Sequence, residues 1–286
     1  MTSPEIEQRD HLTREEFTER FLLPRTPVVL RSAMRSMGAV DRWDLDFFAA
    51  HYGDRRVPVD GAQSGKRMRL REYVEDLRSK AASPSEGGAL YMRNLMLFEQ
   101  FPELRSEFQM PWIAQPNWLQ SRWHGDFSGG SWTYWVELFL SGKDSRFPFV
   151  HIDPYYTHAW SIQISGRKRF WLWGPTEGQF EQLLAGTLER QDARRITPET
   201  KFESHFQARS GHSLVLGPGD LLFLPAGWWH TTETSEESVT LGGNFVERSN
   251  WPEFSEYYCK RNPHHTLPQA ISRRLSALVA PLLLPR

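Results

Sequence analysis

HIDPYYTHAWSIQISGRKRFWLW, residues 151–173, decides how this chain is read. It opens with His151 and Asp153 two positions apart, directly after the apolar run Phe147-Pro148-Phe149-Val150. Side chains at i and i+2 on a strand share a face, so an imidazole and a carboxylate can address one point in space. A second histidine, His230, ends the run GPGDLLFLPAGWWH (217–230), a second strand-like segment. Two histidines and one carboxylate on one side of a metal leave positions open, a donor set suited to non-haem Fe(II). Lys168 lies beyond a turn and offers a cation that could hold an acidic co-substrate.

An H-x-D triplet alone is a weak signal, and the chain carries another, His124-Gly125-Asp126. That one sits in SRWHGDFSGGS (121–131), where glycine and serine dominate and no alternating run precedes it. Such a stretch reads as a loop without a fixed common face. His124 and Asp126 are therefore expected nearer a substrate than a metal. The competing reading of His151, Asp153 and His230 is structural histidines beside a hydrogen-bonded aspartate.

Composition bounds the function. A chain of 286 residues with 39% hydrophobic content can bury one large core or two small ones. A net charge of −1 and a pI near 6.8 give no global basic field to draw it onto nucleic acid. The single cysteine, Cys259, excludes an internal disulfide framework and fits a reducing compartment. The polar N-terminus has no apolar stretch of the signal-peptide kind. LSALVAPLLLP (275–285) is too short for a membrane span and holds two prolines. A soluble, cytoplasmic protein is expected.

Along the chain, Thr13 with Glu16 three residues later forms a capping-box pattern, predicting a helix to about Leu22. PVVLR (27–31) and RVPVD (56–60) read as strands, and Leu45–His51 and 69–77 as helices. SKAASPSEGGA (79–89) reads as a loop, GALYMRNL (88–95) as a strand and FEQFPELRSEF (98–108) as helix interrupted by proline. From Trp132 the chain becomes a series of short strands: WTYWVELFL, FPFVHID, HAWSIQI, KRFWLW, HSLVLG, DLLFLPA and SVTLGGNFV. Short strands without intervening helices argue for an antiparallel sandwich or barrel. A long insertion runs from Pro175 to Ser210. After about residue 250 a helical tail is expected, with Ile271, Leu275, Leu278, Val279 and Leu282 as its apolar stripe. That stripe packs on the sheet or forms a homodimer contact. Most of the 12 tryptophans are expected in the core, and Tyr155, Tyr156 and 118–127 could line a peptide groove.

HIDPYYTHAWSIQISGRKRF and PGDLLFLPAGWWH followed by GGNF together resemble the jumonji-type (JmjC, cupin-like) Fe(II)/2-oxoglutarate oxygenases, hydroxylase branch. The likeness extends over most of the chain, including RTPVVLR and WDLDFFAAHYGDRRVPV. It implies a mainly β fold with flanking helices: a double-stranded β-helix (cupin, jelly-roll) core over 132–249. N-terminal α/β elements (1–131) and a C-terminal helical tail (250–286) complete it. The resemblance makes His151, Asp153 and His230 iron ligands and catalytic residues. Lys168 becomes the partner of the distal carboxylate of 2-oxoglutarate, with Tyr91 joining that lysine and Asn244 near the co-substrate. Two positions depart from the family pattern. Pro148 stands where several relatives have threonine, and Ser161, on the co-substrate side, where some have asparagine.

These readings converge on an enzyme using Fe(II), 2-oxoglutarate and dioxygen. It would hydroxylate a side chain, at the β-carbon, in a peptide or protein such as a ribosomally made precursor peptide. Alternatives in the same fold are N-methyl demethylation and hydroxylation of a tRNA base. Outside that chemistry stand a non-oxidative metal-binding cupin, which would want a fourth ligand, and a catalytically silent interaction protein. Balanced charge argues against nucleic acid as partner.

Overall fold

The computed structural model describes residues 5–58, 67–82, 91–120, 135–147, 149–175, 199–200 and 211–261. Two sheets enclose its central cavity. The larger has the strand order β1 (Glu7–Arg9), β2 (Val28–Leu30), β12 (Leu221–Leu224), β8 (His158–Ser165), β14 (Ser238–Phe245), β6 (Glu137–Ser141) and β5 (Tyr91–Met96). The smaller runs β10 (Glu199–Thr200), β7 (Val150–His151), β13 (Trp229–Thr234), β9 (Lys168–Trp173) and β11 (His212–Leu216). A separate ribbon pairs β3 (Arg56–Pro58) with β4 (Arg67–Arg69). Among the described strands, β1 and β2 pair in parallel and the other pairs are antiparallel. The architecture is the expected cupin-like one: mostly β, with short helices outside.

Alternation along each strand divides the larger sheet between two environments. In β6, Leu138 and Leu140 join the core against the helices, while Glu137 and Phe139 face the cavity. The helical layer consists of α1 (Arg14–Phe17), α2 (Leu45–Tyr52), α3 (Leu70–Ala82) and α4 (Leu97–Gln100). Phe17, Phe21, Trp43, Phe48, Tyr73 and Phe101 are buried against that sheet. Each such side chain, fully buried, stabilises the fold by roughly 1.5–3 kcal/mol. α5 (Trp251–Arg261) packs Trp251 and Phe254 on Trp118, Leu119 and Val246.

Local signals account for the helix starts. Thr13 Oγ1 accepts from the Glu16 amide at 3.2 Å, and the Thr13 amide donates to Glu16 Oε2 at 2.9 Å. The helix they begin does reach Leu22, but its last segment, Thr18–Leu22, is π-helical. Asp44 caps α2 by accepting from the Phe47 amide at 2.7 Å.

Several expectations need correction. α3 extends to Ala82, past Ser79 where a loop was expected. β1, β4 and β10 were not anticipated, being short and polar. The main error lies at His230. The run to this residue is not one segment: β12 stops at Leu224 and the chain turns at Pro225–Trp228, with Gly227 at φ +85°. WHTTET then forms β13 in the other sheet. Pro148 and the tail stripe Ile271–Leu282, with any dimer contact through it, lie outside the described residues.

The turn before β12 is held by Asp220, which is 6% exposed. Its carboxylate accepts from the Ser32 amide at 2.9 Å and the Gly217 amide at 2.8 Å, and pairs with Arg31. Asp220→Ala leaves these donors unmet. Arg31 is partly solvated, so the expected cost is about 2 kcal/mol, read as a lower denaturant midpoint with unchanged slope. An unchanged midpoint would mean that the turn holds without its carboxylate.

Candidate active site

The sheet register brings the two histidines together. β7 lies beside β13 with His151 directly opposite His230, and their ring centroids are 4.2 Å apart. Asp153 follows two residues after His151, just past the end of β7. One donor atom from each of the three residues lies within 4.8 Å of the others. His230 Nδ1 is 3.2 Å from the Trp228 carbonyl, which leaves Nε2 on the side of Asp153 Oδ2, 4.0 Å away. This backbone contact is of the kind that orients a ligating imidazole. His151 Nδ1 is buried without a hydrogen-bond partner. A buried ring nitrogen costs free energy unless something binds it, so the donor set fits a cation.

Electrostatics agree. Burial, then the neighbouring His230 and Arg93, hold the His151 pKa well below its ordinary value. Its imidazole is thus neutral and available as a ligand. Burial raises the Asp153 pKa, opposed by His230 and by a hydrogen bond with Asn244. Asn244 also donates Nδ2 to Thr157 Oγ1 at 2.8 Å. It therefore steadies the Asp153 carboxylate as well as lining the cavity.

Deeper in, β9 points Lys168 inward and leaves Arg167 and Arg169 exposed. Lys168 is 1% exposed and donates to Tyr91 Oη at 2.9 Å. Tyr91 Oη is 3.1 Å from Thr232 Oγ1. The rings of Tyr91 and Phe139 lie 5.2 and 5.4 Å from the ammonium. Among the described residues, no carboxylate is within ion-pair distance of it. Burial alone pulls its pKa down to about 7. A buried cation with no counter-ion, opening on the same cavity as a metal-type cluster, is suited to receive an anion.

The cavity measures about 560 Å³ and is lined by residues of both sheets, including the triad, Lys168, Tyr91, Ser161 and Asn244. Ser161 sits on β8 between Leu222 and Gly242 in register. His158, close in sequence, is a packed residue that accepts from the Ala226 amide at 3.0 Å. Trp118 and Trp229 are likewise core, and Trp160, equally buried, also borders the cavity. His124, Asp126 and nearly all of the 175–210 insertion lie outside the described residues.

Among the lining residues that sequence reasoning missed are the polar or hydrogen-bonding Arg93, Trp135, Glu137 and Thr232. Two of them had a signal in the period of two. Arg93 stands two after Tyr91, and Glu137 two before Phe139. Burial pushes the Glu137 carboxyl up to about 7, with the Trp135 hydrogen bond and Arg93 acting against it.

Comparison with known proteins agrees with this geometry. The family described as "Cupin-like domain" matches residues 13–250. "Arginine-specific demethylase JMJ22" of Arabidopsis thaliana is 25% identical, over 91% of this chain and 51% of that protein. "2-oxoglutarate and iron-dependent oxygenase JMJD4" of Homo sapiens is 26% identical, over 82% and 59% respectively. "Bifunctional arginine demethylase and lysyl-hydroxylase psr-1" of Caenorhabditis elegans is 23% identical, over 85% and 62%. The chain thus spans less than two thirds of each of these relatives.

Proposed function

Because this chain belongs to the cupin-like domain family, we propose that it is an Fe(II)- and 2-oxoglutarate-dependent oxygenase. Its reaction is hydroxylation of a side chain, at the β-carbon, in a peptide or protein. One observation carries the reading: a three-donor His151, Asp153, His230 cluster shares a cavity with a buried Lys168 that has no carboxylate partner among the described residues. A non-oxidative cupin has no evident use for that lysine, and the cluster contains no fourth donor among the described residues.

His151, Asp153 and His230 would hold Fe(II), and 2-oxoglutarate with dioxygen supplies the oxidising power when bound. Lys168, with Tyr91, would take the distal carboxylate of 2-oxoglutarate by charge-assisted hydrogen bonding. Asn244 keeps the Asp153 carboxylate in place. Phe139, Phe147, Trp160 and Phe170 line the cavity and restrict water there. The relatives named as acting on arginine or lysine support a protein substrate. Balanced charge supports peptide over RNA.

The test is incubation with Fe(II), 2-oxoglutarate and a mixed peptide library, read by mass spectrometry. Gain of one oxygen, dependent on all three, is the expected outcome. Salt-sensitive RNA binding with no oxygen transfer to any peptide would overturn the substrate class. Two of the three relatives described above are named demethylases, which favours N-methyl removal as the second reading; its product would lose a methyl group and release formaldehyde. Tyr91→Phe should weaken 2-oxoglutarate binding about two- to tenfold, since it removes one neutral hydrogen bond. Titration calorimetry measures this, and an unchanged affinity would detach Tyr91 from the co-substrate.

A further inference from the structure

We propose that Glu137 determines specificity in this cavity: its carboxylate, held by the indole N–H of Trp135 and sharing the cavity with Tyr155, receives a positively charged side-chain group of the substrate. The inference rests on the oxygenase reading above and adds the residue that selects the substrate.

Glu137 is on the cavity side of β6, because Leu138 and Leu140 take the side facing the helices. It accepts a hydrogen bond from Trp135 Nε1 at 2.6 Å. Among the described residues, no lysine, arginine or histidine is within ion-pair distance of it. Among the described residues, Asp153 is the other carboxylate lining the cavity and belongs to the metal-type cluster, so Glu137 is the acidic group left there for a ligand.

The two aromatic rings are fixed. Trp135 is tied by its indole N–H to Glu137. Tyr155 lies against Phe254 and Tyr257 of α5, with centroids 6.2 and 6.0 Å away. Trp135 and Tyr155 both pack on the cluster of Trp118, Leu119, Val246, Trp251 and Phe254. Tyr155 and Tyr156 have φ of +56° and +55°, two successive bulky residues in the left-handed region. Such strain persists only where the surroundings impose it, and it collects at functional sites. Here the turn brings the Tyr155 ring to the cavity directly after the Asp153-Pro154 pair.

A carboxylate in a cavity also lined by aromatic side chains suits a cation, which the carboxylate can hold by charge-assisted hydrogen bonds and the rings by cation–π attraction. Arg93 does not fill it. Its guanidinium lies over Phe149 and Phe147, 4.8 and 5.6 Å from their centroids, and makes no ion pair with Glu137. Arg93 acts on Glu137 only through space, so the carboxylate keeps its acceptor capacity for a ligand.

Calorimetry on the full chain, with pentapeptides carrying lysine, arginine, norleucine or glutamate between glycines, tests this without turnover. Wild type should bind the lysine or arginine peptide roughly tenfold or more tighter than norleucine, the factor expected of a charge-assisted contact. Glu137→Gln should erase that preference, and Glu137→Lys should shift it to the glutamate peptide. Trp135→Phe keeps the carboxylate but frees it, and should retain only part of the preference. Co-substrate binding, followed in the same samples, separates the two readings: its absence in wild type counts against the oxygenase, not against the subsite. Equal binding of lysine, arginine and norleucine peptides, no binding of basic peptides at millimolar concentration, or an undiminished preference in Glu137→Gln would each overturn the inference.

Discussion

His151→Ala and Asp153→Ala should each abolish 2-oxoglutarate consumption and iron retention while leaving the fold in place. Three protein donors are the minimum that holds Fe(II) with room for a bidentate acid and dioxygen, so none can be spared. Both line the cavity, and the packing at stake is the stacking of His151 on Phe147 and its edge contact with Phe149. Asp153 follows the end of its strand, and His151 Nδ1 has no hydrogen-bond partner to lose. Removing Asp153 also takes away a carboxylate whose burial is unfavourable without a cation. The thermal midpoint of the metal-free variants should therefore stay near that of the metal-free wild type. Metal analysis, calorimetry and a co-substrate depletion assay read the three quantities. Wild-type turnover in either variant, with metal content unchanged, would sink the triad. His124→Ala should keep its iron, which separates the two H-x-D triplets of the sequence.

The sequence made the ligands legible because their spacing carries geometry. His151 and Asp153 had to share a face, and alternation sent Lys168 inward between two exposed arginines. What could not be read was which strand carries His230. GPGDLLFLPAGWWH looks continuous in hydropathy, and only the turn at Gly227, with φ +85°, reveals two strands belonging to different sheets. That difference creates the site: the move into the second sheet puts His230 opposite His151. The non-local pairings were equally out of reach. Nothing local in Glu7–Arg9 or Glu199–Thr200 marks a strand, since both exist through a distant partner. Glu137 and Arg93 were within reach of the same period-two argument that found Lys168. They were passed over because one charged residue in an apolar run reads equally well as a solvent-facing position.

Lys168→Ala should weaken 2-oxoglutarate binding by roughly one to two decades, the equivalent of a charge-assisted hydrogen bond worth ~1.5–3 kcal/mol. The wild-type site should also respond to pH in a way that the variant cannot. Burial lowers the ammonium from 10.5 to about 7 in the ligand-free chain. A lysine whose folded pKa is depressed binds fewer protons folded than unfolded between those two values. The ligand-free protein therefore gains stability from this group as pH rises through that window. Ligand binding runs the other way. A dianion wants the charged form, so above about pH 7 the lysine must take up a proton as 2-oxoglutarate binds. Apparent affinity should then fall by up to about tenfold for each pH unit above 7. Calorimetry in buffers of different ionisation enthalpy should detect the proton uptake. Lys168→Met, which keeps the buried stem without the charge, should bind weakly at every pH and lose both the slope and the uptake. If the slope persisted in Lys168→Met, another group would be the counter-ion, and the lysine would be a buried structural residue beside Tyr91.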